Sequence, residues 1–201
     1  MKKLDQAHQE ILDDLVNSSI TKSAYAMERM LKIRIKPEHV KYGTGSLGPI
    51  PELDQLGRFK VHLVRVMLRG EIGGAFYFII NGHEVDLINQ VCLPEKMYAN
   101  TLSEDKMMKH GFMSEIENMI AALSIAEISD FLGVQLISDV PDVQIIRGDQ
   151  VNDYLTDENL HHETAFHVSS LLSGVVVNIS PFFVWMLSQS FIDKLKMNIV
   201  T

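Results

Sequence analysis

The chain has 201 residues, 46% of them hydrophobic, with a formal net charge of −8 and a sequence pI near 5.4. That length suits one sizeable core or one duplicated domain. An acidic balance argues against nucleic-acid or anionic-membrane binding, which needs a basic face. One cysteine, Cys92, excludes an intramolecular disulfide and fits a reducing compartment. The longest apolar stretch, 175–187, is broken by Asn178, Ser180 and Pro181, too short to span a bilayer, and no signal peptide is legible. A cytoplasmic location and no membrane insertion are expected.

Taken in chain order, 4–32 is predicted helical, with apolar residues at Ile11, Leu15, Ile20, Ala24, Met27 and Leu31. A strand begins at 33–35. Residues 42–57, rich in glycine and containing Pro49 and Pro51, read as a loop. Strands are expected at 59–69 and 73–80, then a helix at 82–93. A linker at 94–105 leads to a second long helix, about 104–132, with a stripe of Phe112, Ile116, Met119, Ile120, Leu123, Ile128 and Phe131. Gly133 is its natural stop. Residues 134–146 read as an edge or irregular strand because of Pro141. The polar, acidic segment 147–159 reads as an exposed loop. Strands at 160–170 and 174–179 and a helix at 181–195 complete the chain.

These elements repeat. Asp14, Asn17, Ser23 and Leu31 recur 101 residues later as Glu115, Asn118, Ser124 and Leu132. The expectation is a single domain over 1–201 with a pseudo-repeat, about 10–93 and 111–195. Each half is helix-strand-strand-strand-helix. The fold class is α+β, a mainly antiparallel sheet with helices packed on it.

The chemistry-bearing pattern is Glu115-x-x-Asn118, with Pro141 following Asn118 after 22 residues. A carboxylate and a carboxamide at i, i+3 share one helix face. The first half carries Asp14 and Asn17 instead, with Val40 where the proline should fall. Other residues are weighed and set aside. His161, Glu163 and His167 would share a strand face by alternation, but a polar face is the simpler reading than a metal site. Ser23 and Ser124 form no triad. Cys92 reads as a small buried apolar residue, and the eleven methionines as core filling.

The Glu-x-x-Asn helix with its distant proline resembles the signature of the CheC/CheX/FliY chemotaxis phosphatases, over about 4–195. The resemblance implies a CheC-like fold and hydrolysis of the aspartyl phosphate of a phosphorylated CheY-like receiver. Asn118 would orient the attacking water and Glu115 would contact a receiver lysine. No cofactor is expected on this chain, the receiver supplying its own Mg²⁺. The alternative is a non-catalytic module of the same fold that docks a receiver or a CheD-like deamidase. Gly111 stands where the family has Asp or Ser, and the first site, Asp14 and Asn17, is expected to be impaired. Flagellar-switch members carry a further C-terminal domain, so a chain stopping near Leu195 is expected to play another role.

Overall fold

A computed structural model describes residues 6–93, 103–161, 163–174 and 179–198. The elements are α1 (Gln6–Leu31), β1 (Ile35–Thr44), a 3₁₀ turn (Pro51–Leu56), β2 (Lys60–Gly70), β3 (Gly74–Asn81), α2 (Gly82–Cys92), α3 (Ser103–Leu132), β4 (Leu136–Ser138), β5 (Asp142–Arg147), α4 (Val151–His161), β6 (Phe166–Gly174), β7 (Phe182–Leu187) and α5 (Gln189–Asn198). The fold is α+β around one antiparallel sheet of seven strands, in the order β1-β6-β7-β3-β2-β4, with β5 also paired to β2. No described helix is long and apolar enough to cross a membrane.

The order reads alike from both ends if β1 is matched with β4 and β5, β6 with β2, and β7 with β3. Each edge strand therefore pairs with a strand from the other half of the chain, which ties the halves into one sheet. Both edges carry an irregularity. The β1–β6 register shifts between Glu38 and Val40. On the other edge, Leu68 pairs Ser138 while Arg65 pairs Asp142, a slip of one residue that bulges the chain before Pro141. Proline lacks the amide a ladder needs, so 134–146 forms two short strands instead of one.

The central strands β3 and β7 are buried on both faces. One face packs under α1, α3, α2 and α5, with Phe76, Phe78, Phe183 and Trp185 pointing at the helices. The other packs under the 3₁₀ turn and α4 through Leu53, Leu63, Tyr77, Val151 and Leu155. Segment 147–159 is thus a 3₁₀ turn (Gly148–Gln150) leading into α4, not an exposed loop. Val151 and Leu155, one turn apart, are its only fully buried apolar residues, with Tyr154 half-buried beside them, a stripe too sparse to stand out among acidic neighbours. Polar groups fasten it. Asn152 Oδ1 accepts from the Ile50 amide at 2.9 Å, and Arg65 donates to Glu158 at 3.0 Å and 3.1 Å. Tyr77 also donates to Glu158, at 2.8 Å. Burial, and the Glu158 carboxylate, push the Tyr77 phenol well above its ordinary range.

Further expectations shift at the C-terminal end. Segment 181–195 splits into a strand, β7, and a shorter helix, α5. Phe182–Leu187 is apolar at every position, so periodicity cannot separate strand from helix there. Segment 160–170 is a strand only from Phe166, and Gly174, expected to open the next strand, closes β6. Residues 175–178 lie outside the described residues. The 101-residue offset holds for the long helices but reaches 106 between Lys60 and Phe166, the first residues of β2 and β6. The edge segments span 10 residues (35–44) and 12 (136–147), and the connections that follow span 15 (45–59) and 18 (148–165); these differences of two and three make up the slip of five.

Candidate functional site

Helices α1 and α3 lie side by side and antiparallel over the sheet. Ser23 and Ser124, both buried, meet at 3.0 Å between their hydroxyls, and Ser18 and Lys22 both reach Glu127 further along. Eight buried residues of α1 (Leu12, Leu15, Ser19, Ile20, Ser23, Ala24, Met27, Leu31) have buried counterparts 101 residues on, while Val16, also buried, answers to Glu117, whose side chain lies outside the described residues. That inward stripe fixes, by helical geometry, which residues face out. Both helices end in a residue with positive φ, Lys32 (53°) and Gly133 (61°). At Gly133 the Val134 amide donates to the Ser129 carbonyl at 3.1 Å, closing the last turn of α3.

Glu115 is exposed and Asn118 half-buried, one turn apart on α3. Neither side chain has a hydrogen bond or ion pair among the described residues, so the amide is free to bind a water or a partner. Asp14 and Asn17 are both exposed on α1. Because the helices are antiparallel, they stand at the opposite end of the pair. The two motifs are brought onto one layer but not into one site. Pro141 lies between β4 and β5 on the sheet edge, half-buried.

Three residues of the expected stripe do not face the sheet: Met119, Leu123 and, near the end of α3, Phe131, which is 42% exposed. Ile116 and Ile120 are fully buried, but Met119 is 38% exposed and Leu123 half-buried. A full turn is 3.6 residues, so 119 and 123 fall to the flank of a stripe running through 116, 120 and 124. With Tyr25, Ala26, Arg29 and Met30 of α1 they line an open apolar groove of about 700 Å³ beside Asn118, closed off toward the middle of the helix pair by Thr21 and Lys22. Arg29 lies over the exposed Tyr25 ring, 6.0 Å from its centroid, in cation–π geometry. Sequence reasoning passed over this groove. The available signal was the failure of the repeat: Ala26, Arg29 and Leu123 answer to Glu127, Asp130 and Lys22.

At the other end the matching positions hold a polar bridge. Glu127 accepts from the Ser18 hydroxyl at 2.6 Å and pairs with Lys22. Lys22, and then Ser18, hold its carboxyl below the usual carboxylate range.

Of the residues weighed for a metal, Glu163 and His167 do not share a strand face. Glu163 lies in the turn before β6 at positive φ (45°), so strand alternation does not apply to it. His167 Nδ1 is 3.1 Å from the Gly45 carbonyl, and the side chain of His161 lies outside the described residues. No group of three His, Cys, Asp or Glu suited to a metal occurs among the described residues. Cys92 is half-buried, not buried, and burial pushes its thiol up.

The sequence matches no family model and no curated protein. Its fold is that of several solved structures. Thermotoga maritima FliY is 15% identical, with a TM-score of 0.63 over 96% of both chains. A chain of the CheX-CheY-BeF3-Mg²⁺ complex from Borrelia burgdorferi is 15% identical, with a TM-score of 0.56 over 88% of this chain and 99% of that one. The middle domain of FliM from H. pylori is 9% identical, with a TM-score of 0.55 over 96% and 99%. The chain has the CheC-like fold of these chemotaxis proteins.

Proposed function

We propose that this chain is a CheC-like phosphatase that hydrolyses the aspartyl phosphate of a CheY-like response regulator, with Glu115 and Asn118 as its working pair. The observation that carries the reading is the free Asn118 carboxamide beside exposed Glu115, on the outer helix layer of a fold shared with CheX. The crystal structure of CheX in complex with CheY, BeF3 and Mg²⁺ supports a receiver domain as the partner.

An acyl phosphate is already activated, so the chain need only place a water in line with the P–O bond to the aspartate. The Asn118 amide can donate through Nδ2 and accept through Oδ1, and so fix that water's position and orientation. The water oxygen bonds to phosphorus, the aspartyl oxygen leaves as carboxylate, and the water's proton passes to the phosphate released. Glu115 would pair with a receiver lysine and hold the two surfaces in register. Mg²⁺ belongs to the receiver.

A non-catalytic docking module of the same fold is the second reading, favoured by the partial burial of Asn118 and by Gly111 four residues before Glu115. One experiment separates them: the decay of a phosphorylated receiver with and without the protein. Acceleration that Asn118→Ala abolishes supports the phosphatase. Stable binding with unchanged decay supports the module.

A further inference from the structure

The two ends of the α1–α3 pair differ in what stands beside the asparagine. Beside Asn118 stand the apolar groove and Arg29, which has no ion-pair partner among the described residues. At the matching place beside Asn17 stands exposed Asp130, and the groove is replaced by the Ser18–Glu127–Lys22 bridge. A stable interface covers about 800 Å² per partner, a disc of roughly 16 Å radius. A partner centred on Asn118 therefore also covers Met119, its neighbour in sequence, and the groove that Met119 lines. A phosphorylated aspartate among metal-binding acids makes such a partner's surface anionic, and an unpaired guanidinium is its complement.

We propose that the groove and Arg29 are the second contact of the receiver docked at Glu115 and Asn118. Arg29 meets the acidic rim of the phosphorylated site, and an apolar receiver side chain seats between Met30, Met119 and Leu123. This rests on the phosphatase reading above and adds to it a reason why one end of the helix pair is chosen. Tyr25 holds the guanidinium over its ring, which lowers the entropy lost when Arg29 is engaged. The Asp130 end would repel the same partner.

The test measures kcat and KM for a receiver phosphorylated with acetyl phosphate, and Kd for the same receiver charged with beryllofluoride. Arg29→Glu and Met119→Asp should each raise KM and Kd roughly tenfold, with kcat within about twofold. The Arg29→Glu effect should shrink as salt rises. Lys36→Glu makes the same change of net charge at an exposed position on β1 and should leave both constants unaltered. If Arg29→Glu and Met119→Asp leave KM and Kd within twofold, or if Lys36→Glu has an equal effect, the docking proposal is overturned. If the unmodified protein gives no turnover, the phosphatase reading falls while the Kd comparison still decides the groove. Weakened binding of both variants then supports it, and unchanged or absent binding overturns it.

Discussion

The two ends of the α1–α3 pair share a buried skeleton and differ in what they show to solvent. Eight matching positions of the two helices are buried. Outside that stripe, one end carries Glu115, Asn118, an apolar groove and Arg29, and the other Asp14, Asn17, Asp130 and the Lys22–Glu127 ion pair. The difference teaches that a core constrains only the inward stripe. The outward face of each helix is free to diverge, so one end can keep an open apolar groove for a partner while the other fills the matching place with the Lys22–Glu127 pair.

The largest expected effect tests whether the ends are unequal in chemistry. Asn118→Ala should lower kcat for receiver dephosphorylation by about a hundredfold or more, the scale of losing a positioned water. Asn17→Ala should change it by less than about twofold. Equal losses in single-turnover decay assays would mean that both ends work.

The seam between the ends comes next. Ser23→Ala or Ser124→Ala leaves one buried hydroxyl facing a methyl group and should cost about 1 kcal/mol each. The double variant should cost less than the sum of the two. Urea denaturation of the cycle measures the coupling, and strict additivity would show that the serines do not bond to each other.

Ser19 sharpens the comparison from within the stripe. Its hydroxyl is buried without a hydrogen-bond partner, where α3 has Ile120. Ser19→Ala should therefore stabilise the protein, by up to about 1 kcal/mol, read as a raised urea midpoint at unchanged slope.

The smallest effect concerns the ion pair. The Glu127 carboxyl is held below its unfolded value by Lys22 and Ser18, so its contribution is present above the ordinary carboxylate pKa. That contribution is lost as pH falls through the lowered folded value. Glu127→Gln should cost less than about 1 kcal/mol at pH 7, and the gap from the unmodified protein should close toward pH 3. A gap that widens on acidification would contradict this sign.

The α+β class, the two long helices, β2, β3, α2 and the Glu115–Asn118 pair are legible from sequence because each rests on local information. Helix periodicity, the i, i+3 spacing and the glycine stop at Gly133 need no knowledge of distant residues. Misreadings fell where two states fit the same local pattern. Phe182–Leu187 is uniformly apolar and becomes a strand because it lies between β6 and β3, with both faces covered. Segment 151–161 is helical because Val151 and Leu155 find a sheet face to cover and Asn152 and Glu158 find partners on Ile50 and Arg65.

Sequence by itself determined that α1 and α3 each bury a stripe through Leu15, Ile20, Ala24, Met27 and Leu31 and through Ile116, Ile120 and Ile128, and that a carboxylate and an amide recur at one spacing on both. Tertiary structure alone decided that the helices run antiparallel, so that the two motifs stand at opposite ends of one layer. It also decided that Met119 and Leu123 flank the buried stripe and, with α1, make a groove beside Asn118. Periodicity assigns a residue to a face of its own helix. What that face meets depends on where the other helix is laid, which no single segment contains.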